Sequence, residues 1–314
     1  MTKPGSSLGR REFLHAATGV TAGCALSTIA VGQTLPVMEG TVRDRMWVFA
    51  NPVNADYAIT GRRSVMSPLE AAVYLGVPNL LMVNEYPRAG QEPTHKPFEP
   101  PFEQYAYPLK VLKRVVWSIV GAAGVTVSSE RQQVLDMARR IPNIVGVFMD
   151  DFFRGRNSDK PASLTIDELK DIQRQLKQSS KKLDLFVTLY TRRLDPDIRD
   201  YLDLIDVITL WTWETAELAN LEANLAKLEK LAPKSRKLLG CYTASLDPKG
   251  TPRWTAMPVP VMQRQCETGL RWLREGRIDG IIIYGTAMDL GWECVDWVRD
   301  WIQRVGETDV GNRQ

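Results

Sequence analysis

Short runs of β-branched and aromatic residues alternate with helix-patterned segments eight times along roughly 270 residues of this chain. The runs fall at residues 45–52, 78–86, 113–121, 143–152, 183–191, 205–214, 236–244 and 278–286. Each is apolar almost throughout rather than alternating, as strands covered on both faces are. Helical patterns fill most gaps. "SPLEAAVYLG" carries its own punctuation: Ser67 as cap, Pro68 at the first helical position, Glu70 to complete a capping box and Gly76 as the stop. One gap differs. Residues 86–112 contain six prolines and little periodicity, which predicts a long ordered loop across the mouth of the fold. Eight strand–helix units predict an α/β fold, a single-domain (β/α)8 barrel, with no linker dividing it. A doubly wound open sheet is the alternative, but the first strand lacks the Gly-rich phosphate turn expected there.

Bulk numbers exclude several classes. The 314 residues are 44% hydrophobic and 25% charged with net charge +3, so neither a nucleic-acid field nor an acidic tail is indicated. Residues 1–32 stand apart. "GRREFLHAATGVTAGCALSTIAVG" pairs Arg10 and Arg11, follows with Phe13 and Leu14, and runs on through small apolar residues. It resembles a twin-arginine (Tat) signal peptide, with cleavage expected between Ala25 and Gln33. The resemblance implies handling by the Tat export machinery and a periplasmic or secreted mature protein spanning 33–314. No later run is long enough to cross a membrane as a helix. Cys241, Cys266 and Cys294 remain after signal removal. A Cys266–Cys294 bridge and buried free thiols are both open.

A barrel delivers the C-terminal ends of its strands to one face, where active sites sit. Asn51 ends the first strand, Asn84 and Glu85 the second, and Ser118 lies near the end of the third. The fourth, "NIVGVFMDD", closes on Asp150 and Asp151. Tyr190, Thr191 and Arg192 follow in the fifth, Trp211, Trp213 and Glu214 in the sixth, Tyr242 in the seventh and Tyr284 in the eighth. Aromatic faces stack on sugar rings, and carboxylates and amides bond hydroxyls, so this set suits a carbohydrate. Successive strand residues alternate in direction, so one aspartate is expected to face the cleft. The register Gly146, Phe148, Asp150 favours Asp150. Arg154 or Arg192 would help keep a partner carboxylate ionised.

What is missing narrows the chemistry. Only His95 lies beyond the signal, in the Pro-rich segment, so a His-ligated metal is not expected. No P-loop or dinucleotide fingerprint appears, and no cofactor is expected. Carboxylates alone suffice for glycoside hydrolysis. "GVFMDD" is similar to the strand-four ending of several secreted (β/α)8 glycoside hydrolase families. In the α-galactosidase-like clan, strand four supplies an aspartate nucleophile and strand six the acid/base. That resemblance implies Asp150 as nucleophile and Glu214 as proton donor, although the clan carries Asp on strand six. Three alternatives stand: a non-catalytic sugar-binding barrel, a lyase or transferase using Tyr190 or Tyr284 with Arg192 against an acidic sugar, and a divalent-cation enzyme with Asp150, Asp151 and Glu85 as ligands.

Overall fold

The computed structural model describes residues 40–55, 60–84, 98, 101–120, 128–156, 158–245, 254–286 and 288–310. The signal-like segment, Glu85 and His95 lie outside them. Eight parallel strands close into a barrel: β1 Met46–Ala50, β2 Asn79–Met82, β3 Arg114–Val120, β4 Ile144–Met149, β5 Asp184–Tyr190, β6 Val207–Trp211, β7 Arg236–Cys241 and β8 Gly280–Tyr284. β1 closes the ring by pairing with β8, in the register Met46 to Ile281 through Phe49 to Tyr284. The connecting helices are α1 Pro68–Leu75, α2 Glu103–Ala106, α3 Ser128–Arg140, α4 Ile166–Lys177, α5 Arg199–Leu202, α6 Leu221–Leu231, α7 Val259–Arg274 and α8 Glu293–Val305. The open-sheet alternative is therefore excluded. A two-residue ribbon, Ala244–Ser245 with Thr255–Ala256, decorates the β7–α7 connection.

Local chemistry explains the elements. Ser67 and Glu70 form the expected capping box and Gly76 takes a left-handed conformation (φ 65°) at the end of α1. Thr165 and Glu168 repeat the box on α4. α2 lies where the sequence suggests only loop: residues 103–111 have enough local periodicity for one helical turn and a following 3₁₀ turn. Phe98 is the described anchor of the Pro-rich segment. Asn84 binds its backbone twice, donating to its carbonyl (2.9 Å) and accepting from its N–H (2.7 Å). This ties residue 98 to the C-terminal end of β2. Whether the rest of 86–97 walls the mouth lies outside the described residues.

The barrel axis is filled by rings and made room for by glycines. Trp47 meets Phe186 at 6.0 Å in the lower layer. Above them Phe49 contacts Phe148, Trp211 and Tyr284 at 6.1, 5.4 and 5.5 Å. A Cβ on Gly146 would strike the Phe186 ring, one on Gly280 would crowd Trp47, and one on Gly240 would enter the Trp211 indole. Large and small residues thus interdigitate across strands, as close packing requires. The three cysteines are buried free thiols, so the Cys266–Cys294 bridge does not form. Cys294 donates to the Thr243 carbonyl at 3.3 Å. No helix among the described residues is long and apolar enough to cross a membrane.

An ion network pins α6 to α7 and gives the first testable consequence. Glu222 accepts from Arg271 (2.7 Å), from Arg277 and from the Trp272 indole (2.9 Å). These bonds hold its carboxyl down at about 2. A depressed folded-state pKa stabilises above the unfolded value and loses that contribution as pH falls from about 4.5 towards 2. Glu222 is half exposed, which limits the effect to less than about 1 kcal/mol. Glu222→Gln is expected to unfold at lower urea than the parent at pH 7, with the two midpoints converging near pH 2. Parallel midpoints at every pH would show that the carboxylate charge contributes nothing.

Candidate active site

β4 ends at Met149, and the two aspartates follow immediately. Phe148 faces the barrel axis, so strand alternation sends Asp150 inward as well. Asp150 is only 9% exposed and accepts from the Thr188 hydroxyl at 2.8 Å. Alternation alone would turn Asp151 away. Instead Asp151 adopts a left-handed backbone (φ 46°), and its carboxylate accepts from the Tyr190 hydroxyl at 2.6 Å. Thr188 and Tyr190 are two apart on β5 and share one face. Both aspartates are therefore drawn to the same side, correcting the expectation that only one could be. The turn costs roughly 1–3 kcal/mol for a residue other than glycine, and Asp tolerates it better than most. Burial, chiefly, and then Tyr242, Asp151 and Asp150 hold the Tyr190 phenol well above its ordinary value. Tyr190 therefore remains a protonated donor to Asp151 across the physiological range.

Phe152 and Phe153 divide. Phe152 is fully buried against Tyr201, whereas Phe153 is half-buried and lines an open cavity of about 550 Å³. Asp151, Tyr190, Arg154, Arg156, Arg192 and Arg193 complete that cavity with Gly155. Arg192 lies over the Tyr190 ring (5.1 Å) and the Trp213 ring (5.5 Å).

The aromatic strand ends pack on one another beside this cavity. Tyr242 touches Trp211 (4.9 Å), Tyr284 (5.1 Å) and Trp213 (5.9 Å). Trp254, supplied by the β7–α7 connection, meets Trp213, Tyr242 and Tyr284 at 5.3–5.7 Å. Trp211, Tyr242 and Tyr284 are nearly inaccessible, and Trp213 is the half-buried member that reaches the surface. Asn51, buried after β1, and Thr286, two residues beyond the Phe49–Tyr284 pairing, lie at the mouth. The Thr286 hydroxyl is buried with no hydrogen-bond partner among the described residues.

Two expected site residues are placed elsewhere. The Asn84 amide is committed at both ends to Phe98, so it holds a loop. Glu214 is exposed and lines a separate hollow of about 310 Å³ with Glu217, Asn224 and Lys227. Trp213 and Arg192 form the rim of that hollow too. Trp211 and Trp213 both face the aromatic cluster, and Glu214, next in line, turns outward. Glu85 lies outside the described residues. Thr188, Trp254 and the Arg154–Arg156–Arg193 wall carry no strand-end signal. Arg154 is named from sequence only as a cation near the carboxylates, and Thr188 is accessible as the residue two before Tyr190 on an inward face.

No family model matches the chain, and no curated protein does. Solved structures match in fold. A provisionally assigned α-L-fucosidase from Bacteroides thetaiotaomicron superposes with TM-score 0.55 at 12% identity, over 91% of this chain and 99% of that one. A family 18 N-acetylglucosaminidase from Paenibacillus barengoltzii gives 0.51 at 9%, over 81% and 98%. A xylanase-α-amylase inhibitor protein gives 0.51 at 12%, over 83% and 98%. The likeness to these chains is one of fold: the closed eight-stranded barrel that β1–β8 form is an architecture shared with glycoside hydrolases.

Proposed function

We propose that this protein is a carbohydrate-active enzyme that hydrolyses a glycosidic bond at the C-terminal face of its barrel. One observation carries the reading: Thr188 and Tyr190 hold two consecutive carboxylates to one side of β4, beside an open, aromatic-edged cavity. Asp151 lines that cavity and is the carboxylate a ligand meets first. Asp150 lies behind it as a buried, hydrogen-bonded charge. Glu214 is the proton-donor candidate on the far side of the Arg192–Trp213 rim. Glycoside hydrolases among the fold neighbours support the class of reaction. The test is a turnover screen of the mature protein against aryl glycosides and polysaccharides, with released reducing ends as readout. An active wild type and inactive aspartate variants support the reading; a screen in which wild type and variants behave alike sinks it.

The second reading is a non-catalytic sugar-binding barrel. The outward placement of Glu214 favours it, because a hydrolase of this kind needs two carboxylates about 5–9.5 Å apart across the scissile bond. A fold neighbour that is an inhibitor protein is consistent with it. Saturable sugar binding without turnover, unchanged in Glu214→Gln, would select it.

The export reading yields its own expectation. Arg10→Lys combined with Arg11→Lys should strand the precursor in the cytoplasm, seen as loss of the periplasmic or secreted band on fractionation. Undiminished export of the double variant would rule out the twin-arginine route.

A further inference from the structure

The cavity beside Asp151 is more cationic than hydrolysis requires. Four arginines line it, Arg154, Arg156, Arg192 and Arg193. Asp195 and Asp197 engage only two of them. Arg156 makes a two-bond pair with Asp195 at 2.9 Å, and Arg193 bonds Asp195 (2.9 Å) and Asp197 (2.8 and 2.7 Å). Arg154 and Arg192 have no carboxylate partner among the described residues. Among the described lining residues the one carboxylate, Asp151, accepts from Tyr190.

The wall is also built in advance. Arg193 is buried, and its Nε donates to the Arg154 carbonyl at 2.8 Å. That bond and the Arg156–Asp195 pair clamp the β4–α4 loop to the β5–α5 loop. Arg154 and Arg192 are thus presented from two loops that are tied together. The Arg192 guanidinium lies over the Tyr190 and Trp213 rings at 5.1 and 5.5 Å, two rings set at 87° to each other. A stacked guanidinium is preorganised for two-point recognition of a planar or tetrahedral anion. Arg192 is itself exposed, and the two rings beside it and the clamped loops are what set it apart from a freely solvated arginine.

Resting on the carbohydrate reading above, we propose that this cavity receives the anionic substituent of a charged sugar, a carboxylate, sulfate or phosphate group. Arg154 and Arg192 bind the anion, and Phe153 and Tyr190 contact the ring that carries it. The substrate class is then an acidic saccharide, a uronic, sulfated or phosphorylated sugar, rather than a neutral glycan. Arg193 is a positioning residue that holds the two loops carrying these cations together.

Titration calorimetry on the mature protein tests this without any need for turnover. The probes are glucose, glucuronic acid, glucose 6-sulfate, glucose 6-phosphate, and inorganic sulfate and phosphate, each at low and high salt. At least one charged sugar should bind about tenfold or more tightly than glucose, with affinity falling as salt rises. Arg154→Gln and Arg192→Gln should each remove about tenfold of that preference while leaving the thermal midpoint in place. Arg304→Gln, exposed on α8, should change nothing. The charged arm that wins assigns carboxylate, sulfate or phosphate. Inorganic anion binding as tightly as the sugar would overturn the saccharide part of the proposal. Equal binding of glucose and all charged sugars, no binding of any probe, or a preference untouched by both arginine variants would overturn it outright. Arginine-dependent binding without hydrolysis would keep this inference and remove the hydrolase reading. Hydrolysis of neutral glycosides unaffected by either arginine variant would do the reverse.

Discussion

Asp151→Asn is expected to cut turnover of a glycoside by about 10³-fold or more, within the range of losses when a positioned acid, base or nucleophile is removed. The replacement is close to isosteric. Its amide oxygen still accepts the Tyr190 hydroxyl bond that now measures 2.6 Å, so the left-handed turn and the cavity wall persist. Asp150→Asn keeps the acceptor for Thr188 in the same way and is expected to lose about 10²-fold, through the charge beside the reacting group. Unfolding midpoints of both should hold or rise slightly, because functional acidic clefts are rarely optimised for stability. Glu214→Gln separates the two readings of the site. A comparable loss would mean that Glu214 reaches the sugar across the Arg192–Trp213 rim, and product stereochemistry would then report its reach. Retention implies carboxyls about 5–5.5 Å apart and inversion about 6.5–9.5 Å. Near-normal turnover in all three variants on a verified substrate would eliminate a carboxylate mechanism.

The barrel was legible because its signal repeats. Eight apolar runs at similar spacing, with a capping box where α1 begins, leave few architectures open. Strand ends were legible for the same reason, and they bring Asp150, Tyr190, Trp213 and Tyr242 to one face. Two features were not. The turn at Asp151 depends on the Tyr190 hydroxyl that rewards it, and that partner is 39 residues away in sequence. Glu214 carried two conflicting signals. Its position at a strand end suggests the mouth, but the inward packing of Trp211 and Trp213 fixes the parity of β6 and turns Glu214 out. Parity wins because burying two indoles outweighs the placement of one solvated carboxylate. The arginine wall arises from loop residues whose meeting is decided by Arg193 on the Arg154 carbonyl and by the Arg156–Asp195 pair, contacts between two connections that no local pattern encodes.

Gly240→Ala is expected to be the most destabilising single methyl added to this barrel, and to reach the site from inside. On β7, Gly240 lies against the face of Trp211, and a Cβ there would sit within the indole ring. Trp211 cannot retreat. Its ring is closed in by Phe49 and Tyr242 at 5.4 and 4.9 Å, and its Nε1 donates to the Thr209 hydroxyl at 2.9 Å. Overpacking a closed core of this kind costs about 3 kcal/mol at the upper end, and a domain of this size loses about 2–4 °C of midpoint per kcal/mol. A drop of roughly 6–12 °C is therefore expected in a thermal melt. The displaced indole pushes on Tyr242 and so on Trp213, the ring over which Arg192 lies, and ligand binding should weaken along with stability. Trp211→Leu supplies the control. Alone it leaves a cavity and is strongly destabilising. Combined with Gly240→Ala it should cost up to about 3 kcal/mol less than the sum of the two, because the methyl then fills space the indole has left. Strict additivity of the pair would show that the methyl and the indole do not compete for one volume, and that the aromatic core is not what holds the mouth in shape.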